Sequence, residues 1–189
     1  MNQTHVPFRY DYVGSFLRPE TLKAARADFE AGKISSEELH KIEDQCIIDL
    51  VKKQKDIGYH VITDGEFRRA TWHLDFMWWF QGVGHHKTKK GIAFHGEDAL
   101  IDDTYLIGKI SADHHPFVDH FKFIKALEDE NTAAKQTIPA PAQFLLQMIV
   151  PENLETTRKY YPTDEELIED IAKAYRDVIL ELYQAGCRN

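Results

Sequence analysis

The sequence has 189 residues, 43% hydrophobic and 29% charged, with a formal net charge of -8. That is an ordinary globular composition, long enough for one sizeable core, and its acidic balance argues against a nucleic-acid-binding surface as the main business. The only two cysteines, Cys46 and Cys187, lack metal-like spacing, the N-terminus has no apolar signal core, and no apolar run approaches membrane-spanning length, so a soluble chain in a reducing cytoplasm is expected.

In chain order, Tyr10 to Val13 reads as a first strand, closed by Gly14-Ser15. Pro19 suits the first turn of a helix that carries Leu22, Ala25, Arg26 and Phe29 and stops at Gly32. Ser35-Ser-Glu-Glu38 is a capping box, in which a hydroxyl and a carboxylate satisfy orphan amides. It predicts a long amphipathic helix with Leu39, Ile42, Cys46, Leu50 and Ile57 on the apolar face, ended by Gly58. A short buried strand follows at Val61-Ile62, and the connection is long enough for a parallel crossover.

Phe76 to Tyr105 contains Gly82, Gly84, Gly91 and Gly96 and reads as an excursion, a hairpin rather than a domain. Thr104 to Ile110 predicts a third strand, ending in Ser111-Ala-Asp113. Pro116 to Leu127 predicts a helix, and Lys135 to Ile138 a fourth strand, stopped by Pro139-Ala-Pro141. Gln143 to Ile149 is a short helix. Thr163-Asp-Glu-Glu166 caps a last helix with Leu167, Ile171, Tyr175, Val178 and Leu182 on one face, and Gly186 ends it.

The expected fold class is α/β, with strands and helices in the order of a (βα)8 barrel carrying a hairpin after its second strand. A complete barrel takes about 250 residues. The chain stops at Asn189, just past a helix-terminating glycine, so residues 1–189 are expected to form a single domain, the N-terminal half of such a barrel. In that arrangement the strands' C-terminal ends share one face, which would gather Ser15, Glu66, Ser111, Asp113 and Pro139.

Chemistry concentrates in His60-Val-Ile-Thr-Asp-Gly-Glu66 and its continuation to Phe76. A strand turns abruptly at Gly65 and presents Asp64, Glu66, Arg68 and Arg69. Read blandly, this is a surface turn with solvated charges. Yet Trp72, His73, Asp75 and Phe76 follow at once, and surface turns are seldom so aromatic.

Val13-Gly-Ser-Phe16 with Arg18-Pro19, Thr63-Asp-Gly-Glu66 and Trp72-His-Leu-Asp-Phe76 resemble, in this order, the cobalamin-independent methionine synthase family. Its short, single-barrel bacterial branch matches best; Pro139-Ala-Pro141 and Tyr183-Gln-Ala-Gly-Cys-Arg188 fit it too. The resemblance implies methyl transfer from a methyl-folate, in polyglutamate form, to the sulfur of homocysteine. It implies that Ser15 and Glu66 hold the amino-acid end of homocysteine, within a substrate-binding set that includes Arg18, Asp64, Trp72, His73 and Asp75. It also implies zinc as cofactor, bound by a His-x-Cys pair, a glutamate and a later cysteine from the barrel's second half, outside this chain. Expected partners are small-molecule substrates, with a homodimer or the missing C-terminal half completing the structure, and neither nucleic acid nor membrane. The alternatives are a non-catalytic fragment or assembly module, or a related thiol-methylating or decarboxylating zinc barrel enzyme.

Other residues have plainer readings beside functional ones. His85-His86, His95, His114-His115 and His120, with Asp113 and Asp119, could form a metal site, but adjacent histidines usually point apart and neither pair has the i, i+4 helical spacing of a chelate. His73 is a pocket group or a core histidine bonded to backbone. Trp78 and Trp79 read as packing, or as a platform for a pterin ring. Cys46 reads as a small core residue. Arg68 and Arg69 bind anions, or form salt bridges to Asp64 or Glu66.

Overall fold

The structure, a computed structural model, describes residues 12–86, 91–94, 97–100 and 103–189. The chain divides into two compact units. The first comprises Met1–Arg69, Asp119–Thr137 and Cys187–Asn189; the second comprises Ala70–Val118 and Ile138–Gly186.

In the first unit, helix α1 (Glu20–Glu30) packs on helix α2 (Ser36–Asp56). Both arms of the Ser35–Glu38 capping box form, so the start of α2 is fixed locally, as expected. The inward face of α2 is rotated from the expected one. Leu39, Glu43, Cys46, Ile47, Val51 and Gln54 are buried, whereas Ile57 is 67% exposed. Apolar periodicity cannot find this face because two of its members are polar and each is satisfied by a partner. The Gln54 amide donates to Thr63 O (2.9 Å) and accepts from Thr63 N–H (3.0 Å), acting as one more strand residue beside the chain. Glu43 lies between Arg26 and Arg68; burial pushes its carboxyl up while the two guanidiniums pull it down.

Strand β1 (Val61–Ile62) pairs in parallel with a two-residue strand at Ala133–Ala134. The ladder continues through Ala133 N–H to His60 O (2.8 Å) and Lys135 N–H to Ile62 O (2.9 Å). The expected fourth strand at Lys135–Ile138 thus begins earlier and is shorter. The expected first strand is not formed at Tyr12 and Val13, and Tyr10 lies outside the described residues. Val13 is exposed, and Tyr12 O accepts from the Lys135 side chain (3.2 Å).

In the second unit, β2 (Gln81–His86) pairs antiparallel with a long strand at Asp103–Ser111. The expected strand at Thr104–Ile110 is therefore present, extended by one residue at each end. Its pairing with β2 depends on a glycine read as a loop signal. Gly82 has φ +79, and a Cβ there would sit 2.3 Å from Lys109 O, so only glycine lets the strands close at the bulge between Gln81 and Val83. The expected hairpin within the excursion is present, Gly91–Phe94 against Glu97–Leu100.

The second core gathers Phe76, Phe80, Phe117, Phe144 and Tyr175 around buried His115. The short helix Leu74–Met77 and the helix Pro151–Tyr160 were not anticipated; Pro151 in the first turn was the available signal for the latter. The last helix, Asp164–Gln184, buries Leu167, Ile171, Tyr175, Val178 and Leu182 as its period predicts. Among the described residues the strands form three two-stranded ladders and no closed barrel, and no helix is long and apolar enough to cross a membrane. The fold class is α/β.

Candidate functional site

Directly after β1 the chain makes the turn on which the site is built. Phe67 N–H closes onto Asp64 O (3.2 Å), with Gly65 at φ +63 and Glu66 at φ +59 between them. Two successive left-handed residues are the signature of a type I′ turn, which favours glycine, asparagine or aspartate. A glutamate there carries strain of about 1–2 kcal/mol, and strain of this kind marks functional positions.

The surroundings hold the turn in place. Thr63 Oγ1 accepts from Gly65 N–H (3.0 Å) and Asp64 Oδ1 from Glu66 N–H (2.9 Å). Arg18 donates to Glu66 O (3.1 Å) and Arg69 O (2.7 Å), and Arg26 donates to Phe67 O. Phe16 N–H donates to Gly65 O (3.1 Å), which brings the Gly14-Ser15 segment against the turn. We expect Gly65→Ala to lose about 1–2 kcal/mol from the left-handed backbone alone, plus the adjustment of Leu50, whose Cδ2 lies 2.4 Å from the added Cβ. Urea denaturation checks this; an unchanged midpoint would contradict a left-handed turn.

The Glu66 side chain is 6% exposed and charge-compensated. Its Oε2 accepts from Ser15 Oγ (2.7 Å), and its Oε1 accepts from Arg69 Nη1 (3.2 Å) and Thr137 Oγ1 (3.0 Å). Arg69, equally buried, also donates through Nη2 to Thr137 O (2.6 Å) and Thr137 Oγ1 (2.9 Å). Asp64 is 4% exposed, and its Oδ2 has no hydrogen-bond partner among the described residues.

Ser15, Arg18, Asp64 and Glu66 are thus brought together within the first unit. Arg69 takes the salt-bridge alternative, to Glu66, while Arg68 pairs with Glu43 and Asp44 and stacks on Phe123 (5.0 Å) instead of meeting Asp64 or Glu66. Thr137 escaped notice, because a lone threonine in a predicted strand carries no signal.

Trp72, His73 and Asp75 belong to the second unit. Asp75 accepts from Ala70 N–H (3.0 Å) and from Thr71 N–H (2.7 Å) and Oγ1 (2.9 Å), fixing the turn before the short helix. Trp72 is 51% exposed, its ring 4.4 Å from the half-buried His73 ring. Burial lowers the His73 imidazole pKa, and Asp75 partly opposes it. Ser111, Asp113 and Pro139 also lie in this unit.

The histidines have structural settings: His85 stacks on Trp78 (4.2 Å), His86 faces Asp103 (3.7 Å), and His115 bonds Phe76 O (3.0 Å); His95 lies outside the described residues. Cys46 is buried in α2. Among the described residues no three His, Cys, Asp or Glu side chains come together to hold a metal, so zinc finds no fitting donor set here.

A family model described as the catalytic domain of cobalamin-independent synthase matches residues 10–188. The chain belongs to the cobalamin-independent methionine synthase family. Among family members, the uncharacterized protein YxjH of Bacillus subtilis is 37% identical over 98% of this chain and 48% of its own length. The methionine synthase of Saccharolobus solfataricus is 28% identical over 93% of this chain and 49% of its own. A crystal structure from Listeria monocytogenes, named as a candidate vitamin-B12-independent methionine synthase, superposes with a TM-score of 0.76 at 37% identity, covering 96% of this chain and 50% of that one. The chain spans about half the length of the curated relatives it matches.

Proposed function

We propose that this chain supplies part of the homocysteine pocket of a methyltransferase that moves a methyl group from 5-methyltetrahydrofolate, as its polyglutamate, to the homocysteine thiol. The observation that carries this reading is the 2.7 Å hydrogen bond from exposed Ser15 to buried Glu66, on a strained turn held by two arginines. A carboxylate suits the substrate's ammonium, and a hydroxyl suits its carboxylate. In the structure the Ser15 proton is spent on Glu66 Oε2. An arriving α-ammonium would donate to Oε2 in its place and release the Ser15 hydroxyl to donate to the α-carboxylate, so no buried acceptor loses its donor. Arg18 and Asp64 support the turn beneath. Trp72, His73 and Asp75, in the second unit, belong to the same proposed substrate-binding set, with Asp75 fixing the turn that carries the other two.

In the reaction, the sulfur forms a bond to the methyl carbon as the methyl–N5 bond of the folate breaks. The thiol gives up its proton and N5 gains one, leaving methionine and tetrahydrofolate. Zinc, in this reading, is held by ligands outside this chain. The same proposal takes residues 1–189 as one domain, the N-terminal half of a (βα)8 barrel acting in the cytoplasm, completed by its other half or by a second copy, and inactive alone. The full-length protein, given L-homocysteine and 5-methyltetrahydrofolate triglutamate, should form methionine and tetrahydrofolate in equal amounts. Binding of homocysteine without methionine would favour a related thiol-methylating or decarboxylating enzyme. Absence of binding would leave an assembly role.

A further inference from the structure

We infer that Thr137 is a positioning residue that fixes the Glu66 carboxylate so that Oε2, and not Oε1, faces the ligand. The inference rests on the reading of Glu66 as the partner of the substrate ammonium. A hydroxyl has one proton to give and two lone pairs to offer. Thr137 gives its proton to Glu66 Oε1 (3.0 Å) and accepts from Arg69 Nη2 (2.9 Å), while Arg69 Nη1 reaches the same Oε1 (3.2 Å). The three side chains close a ring of hydrogen bonds on one carboxylate oxygen. Among the described residues the other oxygen is met by Ser15 alone, a partner whose hydroxyl can turn away.

Arg69 alone would supply the compensating charge but not the orientation. A glutamate has three side-chain torsions, and a single donor pair at 3.2 Å leaves its carboxylate plane free to rotate. Thr137 adds a second anchor from a different segment, just past the strand parallel to β1. The role is separable from folding. Valine has the shape of threonine without the hydroxyl, and Arg69 Nη2 would keep its bond to the residue 137 carbonyl (2.6 Å), so no buried charge is orphaned.

Calorimetric titration of the full-length protein tests this with two ligands, L-homocysteine and 4-mercaptobutyrate, which lacks the α-amino group. Thr137→Val should raise the Kd for homocysteine about two- to tenfold, leave the Kd for 4-mercaptobutyrate within twofold, and keep the melting temperature near the parent's. Thr137→Ser should restore homocysteine binding. If the valine variant does not fold, Thr137→Ala carries the same expectation. Unchanged homocysteine affinity, an equal loss for both ligands, or no rescue by serine would overturn the inference. Glu66→Gln in the same titration separates the two ideas. If that variant loses homocysteine affinity while Thr137→Val does not, only the role of Thr137 fails; if Glu66→Gln changes nothing, the reading of Glu66 fails.

Discussion

Replacing Arg69 with methionine should destabilise the fold by about 3–5 kcal/mol, the range for breaking a buried ion pair from one side. The Arg69 and Glu66 side chains are 3% and 6% exposed, so water cannot take over the lost contact. Methionine roughly fills the volume but leaves Glu66 with two neutral hydroxyl donors, Ser15 and Thr137. Among the described residues the carbonyl of Thr137 would keep the Gln136 side chain (3.1 Å) as its one donor. For a chain of this size the loss corresponds to a fall in melting temperature of roughly 6–20 °C. The double variant Glu66→Gln with Arg69→Met should recover part of it, because the orphaned charge is gone and the two residues are coupled. Thermal and urea unfolding of the four proteins in that cycle check the result. A loss below about 1 kcal/mol for Arg69→Met would mean that the pair is open to solvent.

What the sequence made legible was local. The Ser35–Glu38 capping box spans four residues and formed as read. The face of the last helix repeats every three or four residues and is purely apolar, so its period alone locates Leu167, Ile171, Tyr175, Val178 and Leu182. The left-handed turn was foreshadowed by Gly65, whereas the Ser15–Glu66 hydrogen bond forms without the first strand that was expected to carry Ser15. Partnership between distant segments was not legible. Glu43 and Gln54 point inward because Arg26, Arg68 and the Thr63 backbone meet them there, and a polar letter in a helix otherwise reads as solvent-facing. The strand at Asp103–Ser111 was found, but its antiparallel partner depends on close approach at Gly82, which resembles an ordinary loop glycine. Thr137 bonds a residue 71 positions earlier in the chain, and nothing in its neighbourhood announces that.

Glu66→Gln has the second large expected effect, on ligand binding. The substitution keeps the size of the side chain and an acceptor oxygen but removes the charge that would pair with an ammonium. Losing a charge-assisted contact costs roughly 1.5–3 kcal/mol, or about one to two decades in the Kd for homocysteine. Folate affinity should change much less, because the folate presents no ammonium to this carboxylate. Some stability is lost too, since Arg69 then lacks its buried counter-charge, so binding must be compared below the variant's own melting range.

The most direct measurement is a four-corner binding cycle on the full-length protein: parent and Glu66→Gln, each titrated with L-homocysteine and with 4-mercaptobutyrate. The parent should prefer homocysteine by about 10- to 100-fold, and the variant should bind the two ligands within a few-fold of each other. A preference for the amino-bearing ligand that survives intact in Glu66→Gln would show that the ammonium is held elsewhere, and would remove this turn from the substrate pocket.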